Sequence, residues 1–341
     1  MPELSRYDYQ FPQDLIAQAP ARPRDSARLL VYDRKRRQVS ESTFLHLADF
    51  LPPKSVIVFN RTRVIPARFS VTKDTGGRAD LLYVSTDGDL VRVMSNRRLA
   101  VGSTVVLSGK LSFAVVGQPD RFYLLRPSFP VGRLHLVLEK YGRAPLPPYI
   151  KESPLSEPER RREYQTVFAR DTGSIAAPTA SLHFSRRLLG SLKRSGHDIR
   201  YVTLHVGLGT FAPLTDDNLK RGRLHREEYR ITPAAARFLD QAKAAGRPII
   251  AVGTTVCRAL ESAAGDSGRL VSLSGSTDLF VREGYRFRFV DGLVTNFHVP
   301  KSSLMMLVAA MTGREELMGI YGEAVRRRFR LFSFGDGMLV S

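Results

Sequence analysis

The chain of 341 residues contains one cysteine, Cys257, and no tryptophan. A single thiol excludes an internal disulfide and any zinc site built from several cysteines. The seven histidines (His46, His135, His183, His197, His205, His225 and His298) include no pair at helical metal-ligand spacing, so no metal is expected. A Walker lysine and a Gly-x-Ser-x-Gly nucleophile elbow are also missing. No apolar run approaches the ~20 residues needed to span a bilayer, and the opening "MPELSRYDYQFP" lacks a signal-peptide core. A cytoplasmic protein with no membrane partner is expected.

Acids are the scarce charge: 33 Asp and Glu face 52 Lys and Arg, a net charge of +19. Such an excess attracts polyanions and steers them at long range, which makes nucleic acid the first partner to consider. The middle of the chain is the more basic part, with 14 Lys and Arg against 6 Asp and Glu in residues 61–149. Hydrophobic content of 43% and charged content of 25% are ordinary for a globular protein of one or two domains.

Residues 1–60 read as an α/β start: "RLLVYD" and "SVIVFN" as strands, "TFLHLADFL" as a short amphipathic helix between them. From Arg63 the texture changes to short alternating runs ("ARFSVT", "ADLLYVS", "LVRVM", "STVVLS", "LSFAVVG") separated by Gly, Asp and Lys turns. That spacing predicts a small antiparallel barrel, which "RFYLLRPS" and "RLHLVLEKYG" extend to about residue 142. A Pro-rich exit and charged connector follow, and from Thr166 strands alternate with helices again. The helices are marked by Thr232-Pro233, Thr254 or Thr255 and Ser302 at their starts, and by Gly196, Gly246 and Gly313 at their ends. The expected architecture is a main α/β, barrel-like domain (1–60 and 150–341) carrying an inserted β-barrel domain (61–149).

"HVGLGTFAPL" invites a dinucleotide-binding interpretation, with Glu227 about twenty residues on, but Pro213 and the cap-like "TDD" start the next helix after the motif rather than inside it. A glycine-rich bend beside His205 remains. "GSIAAPTASLHFS", residues 173–185, collects small side chains, a proline and His183, a composition suited to a pocket wall or to a tightly packed loop. "GSTDLF", "VDGLVTNFHVPKSSL" and "FSFGDGMLV" place Asp278, Asp291, His298 and Asp336 among glycines and apolar residues, where a carboxylate is costly unless paired or used. Asn296, His298 and Lys301 bring an amide, an imidazole and an amine to one loop.

These stretches, together with "YDYQFPQDLIAQAPARPRDSARLLVYDR", "NRTRVIPARF", "LPPYI", "YQTVFA" and "IIAVGTTVCRALES", occur in one order along the whole chain. In that order the chain resembles the S-adenosylmethionine:tRNA ribosyltransferase-isomerases of queuosine biosynthesis. The resemblance implies a main α/β domain with an inserted β-barrel. It also implies transfer and isomerisation of the ribosyl group of S-adenosylmethionine onto 7-aminomethyl-7-deazaguanine at a tRNA wobble position, giving epoxyqueuosine and releasing adenine and methionine. No metal or redox cofactor is implied, and a monomer is expected.

Such chemistry needs a base, a group to protonate adenine and a pocket that tolerates a cation. His183, His205, Asp278 and His298 are the catalytic candidates, the imidazoles because they titrate near working pH. Ser174, Ala177, Thr179, Gly207, Gly209, Thr210, Gly253, Thr254, Thr255, Asp291, Asn296, Lys301 and Asp336 are the substrate-binding candidates. Arg63, Arg68, Arg78, Arg97, Arg98, Arg326, Arg327 and Arg328 are expected to track tRNA phosphates. The chain departs from the family's usual pattern at Arg61, Ser181, Leu208 and Ser276. Those departures leave two alternatives open: an RNA-binding paralogue without turnover, or a related S-adenosylmethionine-dependent enzyme with another substrate.

Overall fold

The computed structural model describes residues 2–207 and 214–341, so Leu208, Gly209 and Thr210 lie outside the described residues. The first strands are β1 (Arg28–Asp33), β2 (Gln38–Thr43) and β3 (Val56–Asn60). All five positions of β3 are buried, the pattern of an interior strand covered on both faces. After β4 (Thr62–Val64) the chain enters β5 (Arg68–Lys73), β6 (Arg78–Asp87), β7 (Leu90–Ser95), β8 (Thr104–Ser108), β9 (Leu111–Gly117) and β10 (Tyr123–Pro127). These six close into an antiparallel barrel in the order β10-β7-β6-β5-β8-β9. Alternation along each strand sends Phe69, Leu81, Val93, Val105, Phe113 and Leu125 into its core.

The chain then returns through β11 (Asp171–Ser174), which pairs in parallel with β4. β12 (Asp198–Leu204), β13 (Arg223–Arg230), β14 (Ile249–Val252), β15 (Ser274–Leu279), β16 (Gly292–Asn296) and β17 (Gly337–Val340) follow. With β1, β2 and β3 they form a nine-stranded mixed sheet in the order β15-β13-β12-β3-β14-β16-β17-β1-β2. The main domain expected to be barrel-like therefore has, among the described residues, a sheet with edge strands β15 and β2; the closed barrel is the insert. β12, β3, β14 and β16 run parallel, so their C-terminal ends share one edge. In open α/β sheets that edge is where ligands bind.

Cap chemistry sets the helices as expected. Thr232 accepts from Ala235 N to start Pro233–Ala244, and Ser302 accepts from Met305 N to start Ser303–Thr312. Two expectations fail locally, and one strand was not expected. The alternation of Leu134, Leu136 and Leu138 points "RLHLVLEKYG" to the sheet, but it forms the helix Leu134–Tyr141, which buries Leu134, Val137 and Leu138 at three-and-four spacing and leaves Leu136 exposed. "TFLHLADFL" is a 3-10 turn, Phe44–Phe50, rather than an α-helix. β13 has no strand signature in the sequence because most of its side chains are charged; only Glu227 and Tyr229 are buried.

Candidate active site

At the C-terminal edge of the parallel strands lies a cavity of about 280 Å3 lined by Ala177, Thr179, Asn296, His298 and Lys301, with Tyr149, Phe297, Phe332 and Ser333. Five of the sequence-predicted residues therefore meet at one place. Asn296, the last residue of β16, holds its walls together. Its side-chain oxygen accepts from the Thr179 hydroxyl at 2.9 Å, and its amide nitrogen donates to His183 Nε2 at 3.2 Å and to the Phe332 carbonyl at 3.2 Å. One amide thus joins the 3-10 turn Thr179–His183, the sheet and the loop after residue 329.

His183 stacks on Phe44 with ring centroids 4.1 Å apart. Burial, helped by the charges of Arg330 and Arg24, pulls its pKa down to about 3. His298 is likewise held at about 3 by burial; its Nε2 lies 3.1 Å from the Thr295 hydroxyl and its Nδ1 3.5 Å from that of Tyr321. Both imidazoles are neutral near pH 7, so titration near working pH, the property that nominated them, belongs to neither.

A second group gathers at the ends of β3 and β12. Asn60 donates to Leu204 O at 2.8 Å and to Thr255 Oγ1 at 3.4 Å, while its oxygen accepts from Thr62 N at 3.1 Å. His205 Nδ1 lies 2.9 Å from the Thr62 hydroxyl, and burial lowers its pKa. Gly173 lies flat against this imidazole; a Cβ there would come within 2.9 Å of the ring. Ser174 Oγ accepts from Val206 N at 2.7 Å, and Gly207 N donates to Glu227 at 3.0 Å. His205 opens on a broader cleft with Thr203, Glu228, Arg230 and Ser276. Gly253, at φ 92°, turns β14 into the helix Thr254–Ala263, whose first two threonines are buried.

The family model for a queuosine biosynthesis protein matches residues 4–340. A ribosyltransferase-isomerase named for S-adenosylmethionine and tRNA, from Carboxydothermus hydrogenoformans, is 44% identical over 99% of both chains. Its counterpart from Ralstonia nicotianae is 43% identical, covering 99% of this chain and 95% of that one. The crystal structure of S-adenosylmethionine tRNA ribosyltransferase from Thermotoga maritima superposes with a TM-score of 0.56 at 31% identity, covering 98% of this chain and all of that one. The chain belongs to the S-adenosylmethionine:tRNA ribosyltransferase-isomerase family.

In this ribosyltransferase-isomerase the predicted acids stand away from the cavity. Asp291 precedes β16 and so sits at the opposite end of that strand from Asn296; it pairs with Lys243 at 2.6 Å and accepts from Ile249 N at 2.8 Å. Asp278 pairs with Arg223 at 3.5 Å on edge strand β15. Asp336, 1% exposed, accepts from Arg28 N at 3.0 Å and Arg330 N at 2.8 Å, joining β1 to the loop before β17. Among the described residues no group of three or more His, Cys, Asp or Glu could hold a metal ion. No helix among them is long and apolar enough to cross a membrane.

The predicted arginines divide. Arg63, Arg78, Arg97 and Arg98 are exposed, on β4 and on the barrel. Arg68 is half-buried and donates to Leu146 O at 3.4 Å. Arg326 and Arg327 are engaged by Glu323, and Arg328 by Asp14.

Two departures from the family pattern also acquire settings. Arg61 donates to Asp171 at 2.9 Å; burial alone would raise that carboxyl, and the bonds from Thr203 and Arg61 with the charges of Arg61 and Arg230 more than reverse it. Ser181 is fully buried, and its hydroxyl has no hydrogen-bond partner among the described residues. Sequence inspection missed Tyr149, Phe332 and Ser333, whose rings and hydroxyl resemble core packing; their only signal was membership of "LPPYI" and "FSFGDGMLV".

Proposed function

We propose that the chain transfers and isomerises the ribosyl group of S-adenosylmethionine onto 7-aminomethyl-7-deazaguanine at the wobble position of a tRNA. Adenine and methionine leave, and the product is epoxyqueuosine in tRNA. The observation that carries this is identity of 44% over 99% of both chains with a curated ribosyltransferase-isomerase. S-adenosylmethionine is assigned to the cavity of Thr179, Asn296, His298 and Lys301. His183, His205, Asp278 and His298 are the candidates for proton transfer; His298 lines that cavity, whereas His205 lines a separate cleft.

Arg63, Arg78, Arg97 and Arg98 are assigned to tRNA phosphates. The division into 1–60, 61–149 and 150–341 is kept as a proposal, supported by β5–β10 all falling in the middle segment. We further assign the chain to the cytoplasm as a monomer, where tRNA and S-adenosylmethionine are both met. The deciding assay follows adenine released from S-adenosylmethionine with and without tRNA bearing 7-aminomethyl-7-deazaguanine, then the mass of the nucleoside. Adenine dependent on that tRNA, with the epoxyqueuosine mass, is expected. Binding of tRNA without adenine release would favour a paralogue lacking turnover.

A further inference from the structure

Six non-glycine residues among those described have positive φ, and two of them line the cavity: Lys301 at 56° and Phe332 at 70°. A bulky side chain in that region is strained and persists only where its surroundings fix it, which makes such positions informative about function. Phe332 is fixed on both sides. Its N–H donates to Phe297 O at 3.1 Å, and its carbonyl accepts from Gly335 N at 3.1 Å and from the Asn296 amide at 3.2 Å. Lys301 N donates to Tyr7 O at 3.0 Å. The Phe332 ring lies 4.9 Å from that of Tyr149, whose hydroxyl is tied to Ser333 at 2.6 Å. Among the described residues no Asp or Glu lines the cavity, and Lys301, paired with Asp8 at 2.8 Å, brings the one permanent charge.

Apart from Asp8 behind Lys301, a cation in this cavity meets aromatic rings and, among the described lining residues, no carboxylate. We propose that Phe332 and Tyr149 form the platform for the sulfonium of S-adenosylmethionine, and that Lys301 exchanges Asp8 for the donor's carboxylate. This rests on the proposed function and names the part of the donor that the cavity recognises. A desolvated cation within about 6 Å of an aromatic face is attracted by the ring's quadrupole, and a neutral thioether of the same shape is not. S-adenosylhomocysteine, which lacks only the methyl group and the charge, is therefore the probe.

In the turnover assay, the KM for S-adenosylmethionine is compared with the competitive Ki of S-adenosylhomocysteine. The wild-type ratio Ki/KM is expected to be about ten. Phe332→Leu and Tyr149→Leu should each lower it part of the way, whatever their kcat, and the double variant should bring it to about one. Lys301→Gln should raise KM and Ki together and leave the ratio in place. Thermal melts confirm folding, and Tyr149→Leu carries the test if Phe332→Leu does not fold. A wild-type ratio near one, or a ratio unchanged in the folded leucine variants, overturns the platform while adenine release leaves the proposed function standing. No adenine release from the wild type with its tRNA overturns both.

Discussion

Neutral His183 and His298 make stability depend on pH in a calculable way. Each is held near 3 in the folded chain against an ordinary value of 6.5. Below the ordinary value the unfolded chain binds a proton that the folded chain refuses, so acid favours unfolding. The stabilisation is complete above about pH 7 and is lost progressively as pH falls from about 6.5 toward about 3. One pKa unit is worth about 1.4 kcal/mol, so lowering the pH from about 7.5 to about 5.5 removes roughly 1.4 kcal/mol per histidine. The pair together loses about 3 kcal/mol, a large part of the ~5–15 kcal/mol that a native protein commands.

His197 and His205, also lowered by burial, act in the same direction. The interval stays above the carboxylate range, so acids contribute little to it. Urea unfolding at a series of pH values measures the change, and a two-state transition must be established at each. His183→Gln and His298→Gln should each lower stability at neutral pH and flatten the slope by one histidine's share. A wild-type stability that moves by less than about 0.5 kcal/mol over the interval would refute the assignment of two neutral, desolvated imidazoles.

Ser181→Ala removes a buried hydroxyl that has no partner among the described residues, and the melting temperature should rise by an amount equivalent to about 1 kcal/mol; a fall would mean the hydroxyl is satisfied. Replacing Arg97 and Arg98 by alanine should reduce the salt slope of tRNA binding by about one unit for each phosphate that is no longer neutralised. Arg326→Ala and Arg327→Ala, already engaged by Glu323, should leave that slope unchanged.

The insert was legible because alternation is a local property: each run between Arg68 and Gly117 shows its buried face every second residue, and Gly, Asp or Lys closes each turn. Helix starts were legible for the same reason, since Thr232 and Ser302 act on amides within their own first turn. Leu134–Tyr141 resists a local reading because its leucines satisfy two periods at once, and only the neighbours decide which is buried. The acids stand out by their apolar settings, yet Asp291 and Asp336 answer those settings with Lys243 and Arg330, partners that alternation and spacing do not reveal. Phe332 was hidden for the converse reason: its strained backbone depends on Phe297 and Asn296, and nothing in an aromatic residue's immediate neighbours announces it.

The place of β17 in the sheet bears on how the protein is made. β17 lies between β16 and β1, and Arg28 N reaches Asp336 at a separation of 308 positions. On the ribosome the barrel, whose strands are local neighbours, is free to close while the rest of the chain is still being translated. β1 and β2 must wait, their inner edge unpaired, until residues 337–340 have emerged. Nascent chains of this protein therefore spend most of their synthesis with an open apolar strand, the stage at which a chaperone has most to protect.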